Sequence, residues 1–229
     1  MFARTKGAVV LAFTALGLTG CGEDSTASWS EPARASTSPA ATASPSPSVD
    51  RPALQDRSKA ATVAPKGLAG IGVSTSPKED KPVTYDLTRA CGKQIDADRN
   101  SVRASYNRTW SAPGWWVSNT AHAYGAATGA DAVKQAQAAV ESCKNYTGTD
   151  GEHTLLGAVQ TRYQGIDASY GYCQRIKRSD ATYVSCLAYL AKGNLVSSVW
   201  VVHGQTQQTN SSGLVTVAAV AADALRKVA

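Results

Sequence analysis

The clearest period in the chain runs from residue 115 to residue 124, where one set of alternate positions reads Trp115, Val117, Asn119, Ala121, Ala123 and the other Trp116, Ser118, Thr120, His122, Tyr124. A repeat of two puts successive side chains on opposite sides of an extended chain. The segment therefore predicts a strand with Trp115 on an apolar inner face and Trp116, His122 and Tyr124 in line on the outer one. Further strands are expected over 154–163, 169–177, 182–191 and 195–203, and the last two flank Gly193-Asn194, a two-residue hairpin signal. Helical spacing replaces alternation at Val133, Ala136, Val140 and Cys143, with Gly148 beyond as a stop, and again at Leu214, Val217, Ala221, Leu225 and Val228. Ser211 or Ser212 is placed to cap the second helix, and Arg226 and Lys227 suit the negative end of its dipole. The order strand, helix, four strands, helix predicts an α+β domain: a largely antiparallel sheet with two helices packed on one face.

The amino-terminal pattern is of another kind. Arg4 and Lys6 precede an apolar run over 7–17 that ends in Leu18-Thr19-Gly20-Cys21. A basic start, a short apolar stretch and small residues before a cut mark a secretory signal. The run falls short of the roughly 20 apolar residues a membrane span needs. Leu18 to Cys21 resembles a bacterial lipobox, which implies cleavage before Cys21, a diacylglyceryl group on its thiol carrying fatty acids such as palmitate, usually acylation of the new amino terminus as well, and a stable anchor of two or three chains. Residues 21–81 are rich in Ser, Thr, Ala and Pro, with a single aromatic, Trp29. Such a stretch is expected to be a disordered tether, reaching on the order of 40 Å from the membrane. The organisation expected is thus signal 1–20, tether 21–81, folded domain 82–229.

The net charge of +6 narrows the picture less than its distribution does. From residue 80 onward fifteen basic groups face eleven acidic ones, a dispersed excess too small to argue for nucleic acid. The chain has five cysteines. With Cys21 consumed by lipid, Cys91, Cys143, Cys173 and Cys186 allow three pairings. The midpoint of Cys173 and Cys186 falls inside Lys177-Arg178-Ser179-Asp180, between strand-like YGYCQRI and TYVSCLAYL. A hairpin turning there sets these two cysteines opposite each other at a non-hydrogen-bonded pair, within disulfide reach. Cys143 lies on the core stripe of its helix, which leaves Cys91 as its partner. Metal ligation is the competing use of these residues, but no CxxC, HxxxH or HxH occurs and the three histidines lie far apart in sequence, so neither a metal nor another cofactor is expected.

The Cys-bearing helix, the hairpins of YVSCLAYLAKGNLVSSVWVV and the closing Ala-rich helix, set behind a lipobox and a Ser/Thr/Pro tether, resemble the PknH-type extracellular sensor domains of actinobacteria. The resemblance covers about 85–229. It implies a disulfide-linked α+β domain with a cleft for a ligand, held at the outer face of the cytoplasmic membrane of a Gram-positive actinobacterium.

Sequence motifs for catalysis are missing: there is no GxSxG elbow, no SxxK in the domain, no phosphate loop and no HExxH. Gly125 and Gly129 lack the Lys-Ser/Thr that would complete such a loop, and nothing sets Glu141 and Glu152 in one cleft. The chain is therefore not expected to be an enzyme. Aromatic residues point to binding instead. Tyr106, Trp110, Trp115, Trp116 and Tyr124 crowd around Pro113-Gly114, and Trp116 with His122 and Tyr124 forms the candidate ligand-binding line, suited to stacking on a sugar or touching a protein. The bland alternative is that Trp116 packs against a neighbouring helix or loop. Two functions follow: a sensor-like lipoprotein presenting a cleft to a small ligand or cell-wall glycan, or a structural lipoprotein docking onto a protein of the cell envelope.

Overall fold

A computed structural model of the chain describes residues 50–73 and 76–229. The signal segment, Cys21 and the tether up to residue 49 lie outside the described residues. Eight strands, β1 (Glu79–Pro82), β2 (Val102–Ala112), β3 (Trp115–Tyr124), β4 (Asn145–Gly148), β5 (Gly151–Val159), β6 (Ala168–Lys177), β7 (Thr182–Lys192) and β8 (Leu195–His203), form one antiparallel sheet in the order β1-β2-β3-β8-β7-β6-β5-β4. Four α-helices accompany them: α1 (Arg51–Ala60), α2 (Asp96–Ser101), α3 (Gly129–Glu141) and α4 (Gln207–Arg226). The α+β class and the antiparallel sheet are as the sequence pattern predicts.

The two predicted helices do not share a face. Along β7, Ala188 and Leu190 join a core with Leu214, Val217, Ala221 and Leu225 of α4, whereas Tyr189 and Ala191 join a second core with Val133, Ala136 and Val140 of α3. Alternate residues of one strand point to opposite sides, so α4 and α3 lie on opposite faces. The apolar runs of β7 and β8 are near-continuous where α3 and α4 cover both of their sides. The cap of α4 also differs from expectation. Thr206, not Ser211 or Ser212, accepts the hydrogen bond at its start, from the Thr209 N–H at 3.1 Å, so α4 begins a turn and a half earlier.

The tether ends sooner than its composition predicts. Asp50 caps α1 by accepting from the Ala53 N–H, and Pro52 occupies its first turn. Beyond the helix, Ala61, Val63, Leu68 and Val73 are wholly buried in the core beneath α4. Polar side chains of the sheet satisfy the backbone of this strap. Asn119 Oδ1 accepts from the Val63 N–H at 2.7 Å, Arg108 donates to the Val63 carbonyl at 2.9 Å, and the Trp110 indole N–H donates to the Pro65 carbonyl at 3.1 Å. The expected boundary between a tether 21–81 and a domain 82–229 is thus corrected: the fold includes the chain from residue 50.

Both expected disulfides are present. Cys173 pairs with Cys186 in register across β6 and β7, with Cα atoms 4.0 Å apart, and both side chains are buried. Cys91 is joined to Cys143, binding the segment before α2 to the end of α3.

Candidate functional site

The face of the sheet that carries α3 is only half covered. Leu87, Ala90, Ile95 and Ala97 join α3 in roofing Tyr124, Tyr170, Tyr172, Tyr189 and Val196. On the other half, Trp116, Trp200 and Val202 stay partly exposed and belong to neither core. This open half is built by the β2–β3 hairpin, turned at Pro113-Gly114 with Gly114 at φ 75°, and by β8 beside it. Its register sets Ser111 opposite Trp116, Thr109 opposite Ser118, Asn107 opposite Thr120 and Ser105 opposite His122. Trp200 and Ser198 of β8 follow beside Ser118 and Thr120.

These polar side chains form a ladder centred on Asn107. Its Oδ1 accepts from the hydroxyls of Ser118 and Thr120, each at 2.8 Å, and its Nδ2 donates to Thr109 Oγ1 at 3.0 Å and to the Glu79 carboxylate at 3.4 Å. Ser198 donates to the Thr120 carbonyl at 3.3 Å. Glu79, at the rim, pairs with Lys81 at 2.8 Å. Ser105 Oγ and His122 Nδ1 lie 2.9 Å apart. Two side-chain atoms interrupt this order: among the described residues, His122 Nε2 and Trp200 Nε1 are the buried side-chain nitrogen or oxygen atoms left without a partner. Native interiors rarely tolerate such atoms, which makes each a marker of function or of a group still to bind.

Burial keeps His122 uncharged. Burial pushes the His122 imidazole down to about 4, against the opposing charge of Asp86, so the ring is neutral near pH 7. Behind it, burial pushes Asp98 up to about 6, although Tyr124 donates its hydroxyl proton to this carboxyl at 2.8 Å and the Leu87 N–H donates at 2.7 Å. Burial likewise pushes the Tyr124 hydroxyl far up.

Trp116, His122 and Tyr124 do lie in line on one face, as alternation requires. Their expected common exposure is corrected. Trp116 is partly exposed and meets Trp200 edge to face with ring centres 5.0 Å apart, but His122 and Tyr124 are wholly buried, because the segment around 86–97 and α3 roof that end of β3. Tyr124 thereby serves the core, and the open site gathers Trp200, Ser118, Ser198 and Asn107, which the sequence reading did not single out. The signal for the β2 residues was the polar alternation Ser105, Asn107, Thr109, Ser111 leading into a Pro-Gly turn.

Two concavities lie elsewhere, and neither is lined by Trp116, Ser118, Ser198 or Trp200. One, of about 870 Å³, lies between hairpin turns and is lined by Asp150, Glu152, Lys177 and Arg178, opposite charges on an open surface. The other, of about 450 Å³, runs along the start of α4, where Trp115 stacks on His203 with ring centres 3.6 Å apart. Its His203 Nδ1 lies 2.9 Å from the Gly114 carbonyl, and no unpaired buried group points to a ligand there.

No protein-family model and no curated protein sequence matches the chain. In fold the chain is similar to the extracellular domain of PknH from Mycobacterium tuberculosis, at 14% identity and a TM-score of 0.56 over 76% of this chain and 96% of that one. A putative uncharacterized protein from Mycobacterium smegmatis is more distant, at 13% identity and a TM-score of 0.38 over 72% of this chain and 84% of that one. At 14% identity the first likeness bears on the fold, and the α+β sheet described above is that fold.

Proposed function

We propose that the chain is a lipoprotein anchored by lipid at the outer face of the cytoplasmic membrane, whose domain, from residue 50 onward, is a sensor-like module that binds a ligand on the open half of the α3 face. Binding without catalysis is the role proposed. The observation that carries it is the pair of unpartnered nitrogens, His122 Nε2 and Trp200 Nε1, on a face whose other polar groups are bonded to one another. Three further features support an extracytoplasmic setting: the Leu18-Thr19-Gly20-Cys21 sequence, two disulfides of the kind kept in oxidising compartments, and a fold shared with a domain described as extracellular.

Cell fractionation of a Cys21→Ser variant, with mass spectrometry of its amino-terminal peptide, tests the anchor. Loss of acyl groups with release or retention of uncleaved precursor is expected. A variant still acylated and membrane-bound would refute it. Binding is tested by thermal-shift measurement against envelope fragments, peptides and lipids, and a ligand whose shift is lost in Trp200→Phe is the expected result.

A further inference from the structure

We infer that the ligand taken by the open half of the α3 face is an uncharged saccharide, a conclusion that rests on the binding role proposed above and adds to it the class of molecule bound. The first ground is the direction of the open hydrogen bonds. Ser118 and Ser198, both partly exposed, donate their protons inward, to Asn107 and to the Thr120 carbonyl. Ser198 Oγ therefore keeps its acceptor lone pairs free, and Ser118 Oγ, which accepts from Thr109 Oγ1 at 3.5 Å, keeps one. Trp200 Nε1, a buried atom at the edge of a partly exposed ring, is a donor only, and a small shift of that ring brings it to a ligand. A ligand that satisfies both must carry donors and acceptors side by side, as a polyol does. A carboxylate or phosphate, which accepts only, meets lone pairs at both serines.

His122 sharpens the same requirement. If Nδ1 accepts from Ser105, Nε2 carries a proton and lacks an acceptor; if Nδ1 donates, Nε2 lacks a donor. A hydroxyl serves either tautomer. His122 is wholly buried, so Nε2 meets a ligand only through local opening around it, and the partly exposed Trp116 and Trp200 rings are the first contacts.

The remaining lining fits. Asn107, Thr109, Ser118, Thr120 and Ser198 carry no charge, and the ionised pair at the rim, Glu79 with Lys81, is neutral as a unit. Trp116 and Trp200, set edge to face and partly exposed, leave an indole surface for the C–H groups that one side of a pyranose ring presents. From Trp116 to Thr120 the floor runs four residues along β3, on the order of 13 Å, longer than one sugar ring.

Tryptophan fluorescence and calorimetric titration of the detergent-solubilised full chain test this directly. The probes are neutral tetrasaccharides of glucose, mannose and N-acetylglucosamine, together with a polygalacturonate fragment, phosphate-bearing lipid micelles and basic and acidic peptides. At least one neutral tetrasaccharide is expected to bind. Trp116→Ala is expected to weaken it about tenfold, as loss of one stacking ring does. Trp200→Phe, which removes the N–H together with the pyrrole half of the indole, and Ser118→Ala should each weaken it severalfold, while Trp115→Phe on the opposite face should leave it unaltered. If only a charged probe binds, with loss in Trp200→Phe, the saccharide assignment falls and the binding role stands. If no probe binds, both fall. Saccharide binding that responds to Trp115→Phe and not to Trp116 or Trp200 would overturn the site.

Discussion

Asn119, at the centre of β3, holds the backbone N–H of Val63 at 2.7 Å, fixing to the sheet a residue that lies 56 positions earlier in the chain. The same side chain donates to Ser197 Oγ at 2.7 Å and to the Ser198 carbonyl at 2.9 Å. It thereby joins the strap 61–73 to β3 and β8, the strands that carry Trp116 and Trp200 on their other side.

Removing the strap should therefore cost the domain much of its stability. Val63, Leu68 and Val73 are fully buried, and each is worth about 1.5 to 3 kcal/mol. Together they amount to roughly 5 kcal/mol or more, near the lower bound of a domain's whole stability. Melting temperatures of chains starting at residues 50 and 76 provide the comparison. A drop above about 10 °C is expected on truncation, and a change of only a few degrees would show that the strap is an accessory.

Why was the strap invisible in the sequence when β3 and β8 were read to the residue? Those two strands alternate strictly or run apolar between turn signals, and both features survive any packing. Val63, Leu68, Ile71 and Val73 have no period, because an irregular strap follows the surface it covers. The bonds that hold it come from Asn119, Arg108 and Trp110, 45 to 56 residues away in the chain. Only Asp50 followed by Pro52 announced α1 locally. The site was half legible for a similar reason. Alternation gave the shared face of Trp116 and His122, but exposure depends on where the 86–97 segment lies, and no local pattern encodes that.

Cys91 and Cys143 are 52 positions apart and Cys173 and Cys186 only 13, so loop entropy assigns roughly 4 and 3 kcal/mol to the two bridges. Cys91 also sits at φ 58°, a left-handed conformation that a non-glycine residue adopts at some cost. Paired replacement by Ala should lower the melting temperature more for Cys91 and Cys143. Hydrogen exchange should show the loss of protection concentrated in 86–97. Equal effects, or exchange spread over β6 and β7, would contradict this division of roles.

Two glycines outside the turns separate close packing from open space. A Cβ at Gly129 would lie 2.6 Å from the Leu195 carbonyl oxygen and 3.1 Å from that of Gly193, where α3 starts against the β7–β8 hairpin. Gly70 has nothing within 4 Å of the same position. Gly129→Ala is expected to destabilise the domain by about 1 to 3 kcal/mol in urea unfolding, and Gly70→Ala to be neutral or slightly stabilising. A neutral Gly129→Ala would mean that α3 can move away from the hairpin freely.

The last prediction joins His122, wholly buried, to Asp98, partly buried, two groups shifted in opposite directions. Asp98 binds its proton more tightly when folded, up to about 6 from 3.8, so its contribution to stability rises as pH falls through that interval. His122 is held neutral, down to about 4 from 6.5; the unfolded chain takes up that proton first, and stability is lost as pH falls from 6.5 toward 4. Each shift corresponds to about 3 kcal/mol, and the windows overlap, so between pH 6.5 and 4 the two largely cancel. Single variants uncover them. Relative to the unaltered chain, Asp98→Asn should lose roughly 3 kcal/mol between pH 7 and pH 4, and His122→Gln should gain about as much. Urea unfolding of the three chains at pH 4, 5, 6 and 7 reads the differences, in which the other carboxylates drop out. If both variants run parallel to the parent across this range, burial does not shift the two groups as described.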